Sequence, residues 1–355
     1  MPEPDPLDRL APPLVGHVEP QAQFADALHS SRMHHAWLLH GPEGIGKARF
    51  AAQAAAYCVA EAAGLSTTRL DVDRDHPEAR LVRQGAHPDM IWIDKWTGHD
   101  RKTPPKAIPV AGVRAALQKM QSTASYGGWR VVVVNAIDEL NVEGANALLK
   151  PLEEPPRRTV LLLICHALQR TLPTIRSRCR TLSFKPLGND DLTALVSTCE
   201  DVERNDQLDL AIALAGGRAG RALRLAEDDL VVPLFVQFCG LATGLTETGN
   251  AATLKRRLEL AQGTNGMSSD RQALFFSLIE DWLSRRIAGT PEPQPLETPS
   301  DILNPSARAK IADLWSALTS NVALRHAINL DVSETVMTLF AGLDDVYSQA
   351  HIAHP

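Results

Sequence analysis

His35-Ala-Trp-Leu-Leu-His-Gly-Pro-Glu-Gly-Ile-Gly-Lys47-Ala48 is the stretch that decides the fold of this chain. His35 to Leu39 reads as a buried strand, the glycines at 41, 44 and 46 open a tight loop, and an alanine-rich helix is expected from Ala48 to Ala63. GxxxxGK between a strand and a helix is the phosphate-loop pattern. Glycines let successive backbone N–H groups turn inward, the following helix points its positive end at an anion, and Lys47 adds a mobile charge. The next position should be Ser or Thr, whose hydroxyl ligates Mg²⁺, and here it is Ala48. A glycine-rich turn with no ligand is the plain alternative. The strand–loop–helix context points to phosphate-loop ancestry, and it leaves open whether nucleotide still binds at Gly41, Gly44, Gly46 and Lys47.

Working outward, Asp89 to Ile93, Val131 to Val134 and Val160 to Ile164 are further strand candidates. Short runs apolar on both faces, separated by helical stretches, indicate a parallel sheet covered on both sides, hence a doubly wound α/β domain. The Val131–Val134 strand should deliver an aspartate and a glutamate for metal and water, but Asn135 and Ala136 follow it. Asp138 and Glu139 come a little later, where the chain should be turning toward a helix, and are read as solvated turn residues. A chain without the Mg²⁺ hydroxyl and both carboxylates lacks the positioning and charge stabilisation that phosphoryl transfer requires.

With 355 residues, two or three domains are expected. The strand signal stops after Phe184-Lys185-Pro186-Leu187, which suggests an α/β domain over 1–186, a small helical lid over 187–228 and a helical domain over 229–355. Helices are expected at Asp190–Cys199, Leu208–Ala215 and Gly220–Ala226. In Asp270–Ile287, Leu274, Phe275, Leu278, Ile279 and Leu283 recur at helical spacing, as a core stripe or a subunit-packing face. The proline-rich stretch Thr290 to Pro305 reads as a loop or hinge, followed by two more helices. An apolar share of 44% excludes a wholly disordered chain, and a net charge of −6 argues against a protein that coats DNA unaided. The five cysteines are scattered without a CxxC pair, so neither a disulfide framework nor zinc is expected. The acidic, proline-rich start lacks a signal-peptide pattern and no apolar run is long enough to span a bilayer, so a cytoplasmic protein without membrane attachment is expected.

Two further blocks carry a resemblance. Asn146-Ala-Leu-Leu-Lys-Pro-Leu-Glu-Glu-Pro-Pro156 and Leu172-Pro-Thr-Ile-Arg-Ser-Arg-Cys179 resemble the bacterial clamp-loader branch of the AAA+ ATPases, as do Leu14-Val-Gly-His17 and Gly85-Ala-His-Pro-Asp89. The resemblance covers about residues 14–226; beyond that it is helical character only. The degraded phosphate-loop chemistry resembles the delta prime branch of DNA polymerase III subunits more than the ATP-hydrolysing gamma/tau branch. Cys165-His166 stands where active relatives carry a Thr-type sensor. Gly216-Gly-Arg-Ala-Gly-Arg221 resembles the second sensor block, with Gly220 at the arginine position and Arg221 one place late; a helix end that is merely terminated and solvated reads as well. Pro151 departs from the usual residue and should shorten or kink its helix.

The resemblance implies a P-loop AAA+ domain followed by a helical lid and a collar. It implies a subunit without ATPase activity of its own that helps a five-membered partial ring load a sliding clamp onto primed DNA. ATP and Mg²⁺ would then sit at neighbouring subunits, with this chain needing no cofactor and no zinc. Its partners would be gamma/tau and delta subunits, the clamp, and primer-template DNA within the complex. Arg178 of the Ser-Arg-Cys triplet would reach the γ-phosphate held by the adjacent subunit; an ordinary surface arginine is the alternative. A role for the Glu153-Glu154 pair is not legible. A working gamma/tau-like ATPase is the competing function, and a P-loop transferase is disfavoured because these blocks have no evident role in one.

Overall fold

The computed structural model describes residues 14–30, 32–61, 70, 72, 73, 76–97, 107–120, 128–198, 206–242, 250–293, 296, 303–328 and 331–352. Contacts divide the chain into two compact units, Met1–Glu200 with Gly216–Gly220, and Asp201–Ala215 with Arg221–Pro355.

The first unit is built on five parallel strands: β1 (Ala36–His40), β2 (Met90–Asp94), β3 (Arg130–Asn135), β4 (Thr159–Cys165) and β5 (Arg180–Ser183). Their order is β2-β3-β4-β1-β5. Helices α1 (Val18–His29), α2 (Lys47–Glu61), α3 (Pro77–Arg83), α4 (Val110–Met120), α5 (Val142–Ala147), α6 (Leu149–Glu153), α7 (Pro173–Arg176) and α8 (Asn189–Val196) complete it.

Strand residues alternate between two cores, as a period of two requires. Trp37, Leu39, Val131, Val133, Leu162 and Ile164 pack with residues of α1 and α2 on one face. Ala36, Leu38, Val132, Val134, Leu161 and Leu163 pack with residues of α4 to α7 on the other. The central strands are therefore buried on both sides, and every strand expected from sequence is present within a residue or two of its expected bounds.

Pro151 acts as expected. The helix breaks at Leu148 into α5 and α6, because the proline ring crowds the carbonyl four residues back and supplies no N–H.

The second unit is helical: α9 (Asp206–Ala215), α10 (Ala219–Ala226), α11 (Val231–Ala242), α12 (Ala251–Asn265), α13 (Ser269–Ala288), α14 (Pro305–Ile328) and α15 (Val332–Ile352). The stripe Leu274, Phe275, Leu278, Ile279 and Leu283 lies in its core, where Phe238 meets Phe275, Trp282 and Phe340 at ring separations of 5.0–6.0 Å. Ser268 and Gly289 punctuate α13: the serine hydroxyl accepts the Arg271 N–H, and the glycine takes the left-handed conformation that ends a helix. Pro305 does not belong to a loop but opens α14, a first-turn position where its missing N–H costs nothing. Of the segment expected as a separate lid, α8 belongs to the first unit, and α9 and most of α10 belong to the second.

Candidate phosphate-loop and arginine sites

The loop 41–46 leaves the carboxyl end of β1, the edge at which open α/β sheets gather ligands. Gly41 has φ of 151°, and a Cβ there would come within 2.3 Å of the Phe184 carbonyl oxygen. Gly44 and Gly46 lie at φ of 80° and 105°, a region closed to most side chains. The four residues read from the sequence as a phosphate cradle, Gly41, Gly44, Gly46 and Lys47, are therefore brought together.

What surrounds them is intramolecular. Lys47 is 2% exposed, and its Nζ donates to the carbonyl oxygens of Gly41 at 2.6 Å and Pro42 at 2.5 Å. Burial pushes its pKa down to about 8, against the opposing pull of Glu43, Cys165 and Asp138. The Gly44 carbonyl accepts the Gly220 N–H at 3.0 Å. On the other side, His17, in a left-handed conformation, places Nε2 2.6 Å from the Ile45 carbonyl and its ring edge-on to Phe184.

Two sequence readings need correction here. Asp138 is not a solvated turn residue. Its Oδ1 accepts the His166 N–H at 3.0 Å and its Oδ2 accepts the Ala167 N–H at 2.9 Å, so it ties the end of β3 to the turn after β4. The second-sensor block is not a merely solvated helix end either, since Gly220 touches the phosphate loop. Arg221 is no sensor, because its buried guanidinium pairs with Asp281 in the helical unit.

The donor set does not fit hydrolysis of Mg·ATP. Ala48 packs its methyl against the α1–α2 core and offers no oxygen. Ala136 is buried at the strand end where a carboxylate would have to stand, and both oxygens of Asp138 are engaged. His166, at the sensor position, is lowered in pKa by burial and by the Lys47 charge, and its Nδ1 has no partner among the described residues. Cys165 turns away to Thr171, 3.2 Å from its hydroxyl oxygen.

Arg178 lies elsewhere. β1 and β5 are parallel, with Trp37 opposite Arg180 and His40 opposite Ser183. The phosphate loop follows the last residue of β1 while Arg178 precedes the first of β5, so the two sit at opposite ends of adjacent strands. Arg178 cannot serve its own chain's loop. Its Nη1 donates to the Thr174 carbonyl at 2.8 Å and its Nη2 to Glu153 Oε1 at 2.7 Å, leaving the side chain 35% exposed. Ser177 of the same triplet donates to the same Thr174 carbonyl at 3.1 Å, and burial raises the Cys179 thiol to about 12. The Glu153–Arg178 pair bridges 25 positions in sequence, and nothing in the sequence signals it.

The comparisons with known proteins bear on the same region. A family model described as DNA polymerase III, delta subunit, matches residues 16–188. The DNA polymerase III subunit delta' of Pseudomonas aeruginosa is 37% identical over 195 residues, 54% of this chain and 55% of that protein. The subunit delta' of Escherichia coli is 34% identical over 150 residues, 42% of this chain and 43% of that protein. The subunit tau of Escherichia coli is 30% identical over 179 residues, 50% of this chain and 26% of that protein. Among solved structures, a gamma subunit-related protein of Thermotoga maritima aligns over 93% of this chain and 99% of its own at 15% identity, with a TM-score of 0.44. The chain thus spans about half the length of the delta' relatives it matches. Over residues 16–188 the chain is similar to the delta' subunits of DNA polymerase III.

Proposed function

We propose that this chain is a clamp-loader subunit of the delta prime type, a cytoplasmic member of a hetero-oligomeric ring. In that ring it hydrolyses no nucleotide and lends Arg178 to the ATP site of a neighbour. One observation carries this reading: a complete Ser-Arg-Cys triplet holds a partly exposed guanidinium at the opposite end of adjacent strands from a phosphate loop with Ala48, Asn135 and Ala136 where the Mg²⁺ hydroxyl and carboxylates would stand. Arginine offers a planar, permanently charged fork suited to phosphate oxygens, a geometry lysine does not reproduce.

On this reading the chain needs no cofactor and no zinc of its own, and any nucleotide at Gly41, Gly44, Gly46 and Lys47 is vestigial. ATP and Mg²⁺ belong to gamma/tau-type neighbours, a delta-type subunit completes the ring, and the sliding clamp and primer-template DNA are engaged by the assembly. The division into an α/β domain (1–186), a lid (187–228) and a collar (229–355) is part of the same proposal. Among the described residues no helix is long and apolar enough to cross a membrane.

The test uses purified components. The full chain should bind gamma/tau-type and delta-type partners together, and alone it should show no Mg²⁺-dependent ATP turnover above background. Substantial turnover by the isolated chain, abolished by Lys47→Ala, would overturn the proposal in favour of a gamma/tau-like motor.

A further inference from the structure

An arginine that must meet a phosphate on another subunit has a problem of its own. Four rotatable bonds give it about 2 kcal/mol of rotamer entropy to lose, so a finger left free in solvent delivers less than one held ready. The surroundings of Arg178 bear on this directly.

Its guanidinium is held by both terminal nitrogens, with Thr174 O on Nη1 and Glu153 Oε1 on Nη2. The remaining contact is a long one from Nη1 to Ser177 Oγ at 3.5 Å. Among the described residues, Nε–H and the second N–H of Nη2 have no partner. A guanidinium carries five N–H donors, so two stay available for phosphate oxygens.

Both holders stand on fixed ground. Glu153 closes α6, where Pro155 and Pro156 prevent the helix from continuing. The residue before it, Leu152, is buried in the sheet core, and its carbonyl lies 3.0 Å from His35 Nε2. On the other side, Ile175 is fully buried between Thr174 and Arg178. The exposed carboxylate and the carbonyl are thus presented from anchored backbone, which separates this pair from an ion pair between two mobile surface side chains.

We infer that Glu153 is a positioning residue for Arg178: through its carboxylate it fixes the guanidinium plane so that the free donors are held ready for a neighbouring subunit. This rests on the reading of Arg178 as a finger given in trans. Glu153 touches no nucleotide and acts only through the arginine. Its loss should slow the chemical step and leave ATP binding at the neighbour alone.

The experiment uses the whole ring, reconstituted from full-length subunits with clamp and primed DNA, and measures steady-state ATP turnover for wild type, Glu153→Ala, Glu153→Gln, Arg178→Ala and Glu153→Ala with Arg178→Ala. Assembly of each ring is checked by size-exclusion chromatography. Glu153→Ala should lower kcat about two- to fivefold with KM for ATP unchanged, the size expected of an ion pair of this exposure. Glu153→Gln, which keeps an acceptor oxygen, should lie between wild type and the alanine variant. The double variant should be no slower than Arg178→Ala alone, because a positioning residue has nothing left to position. The deficit of Glu153→Ala should also shrink as salt rises and the ion pair is screened in the wild type.

If Glu153→Ala turns over like wild type while Arg178→Ala is slow, or if the two losses multiply, positioning by Glu153 is wrong and the finger stands. If Glu153→Ala speeds turnover, the carboxylate restrains the arginine rather than presenting it, and the inference is again wrong. If Arg178→Ala itself turns over like wild type, the finger reading fails and this inference falls with it.

Discussion

Two cations of the same sheet, Lys47 at the carboxyl end of β1 and Arg178 just before β5, have opposite fates. Lys47 is buried, and its ammonium is committed to two carbonyls of its own loop. Arg178 is half-exposed, held by one carbonyl and one carboxylate, with donors to spare. Ala48 and Ala136 beside the loop carry no side-chain oxygen for a metal, whereas the Ser177-Arg178-Cys179 triplet is complete. What differs is where each charge is satisfied: Lys47 inside the chain, Arg178 at the surface. On the proposed function, the phosphate loop persists as a folded element without its chemistry, while Arg178 keeps the donors needed to act on another subunit.

If that contrast is right, changes at the inward end should be felt as stability. Asp138→Ala should have the largest effect. It removes a carboxylate that accepts two main-chain N–H groups and leaves those at His166 and Ala167 unpaired, a loss of about 3 kcal/mol in urea unfolding of the isolated chain. An unchanged unfolding midpoint would mean that the turn after β4 holds itself.

Lys47→Met should cost about 1–2 kcal/mol, because the Gly41 and Pro42 carbonyls lose their donor. It should also change the pH profile. With its pKa lowered from 10.5 to about 8, folded Lys47 binds fewer protons than the unfolded chain between those values, so wild-type stability gains from this group as pH rises from about 8 to 10.5. The methionine variant lacks that gain, and the gap between the two should widen over this window. A gap that narrows there would show that the ammonium is stabilised in place.

At the outward end, Arg178→Ala should leave the unfolding midpoint of the isolated chain almost unmoved, by less than about 0.5 kcal/mol, since it removes a partly exposed pair. A large loss would make the arginine structural. The smallest effect belongs to Ala48→Ser: restoring one hydroxyl should produce no Mg²⁺-dependent turnover, because Asn135 and Ala136 still supply no carboxylate. Measurable turnover would mean that the site is one residue from activity.

The sheet was legible because its signal is local. Val131–Val134 and Val160–Ile164 are apolar at every position and short, the pattern of strands buried on both faces. The break at Leu148 was legible from Pro151 for the same reason. Asp138 was misread because its partners are main-chain N–H groups 28 and 29 residues away, and such partners leave no mark on side-chain identity. Arg221 looked like a displaced sensor because sequence spacing does not tell which unit a helix joins; its partner Asp281 lies 60 residues on. Glu153 stood in a conspicuous block, but its partner depends on where α6 and α7 end relative to each other, which only the folded unit shows.

The central claim, that this chain contributes to an ATP site it does not contain, is tested most directly by changing the two cations separately in the same assembly. Rings reconstituted with wild-type, Lys47→Met or Arg178→Ala chain are compared for ATP turnover in the presence of clamp and primed DNA. The temperature is kept well below the unfolding transition of the least stable variant. The account predicts that Arg178→Ala lowers turnover severalfold in rings that assemble normally, a finger being worth about 10³ to 10⁵ at one site but less across a ring with several. It predicts that Lys47→Met turns over at the wild-type rate. Loss of turnover with Lys47→Met and a wild-type rate with Arg178→Ala would contradict it.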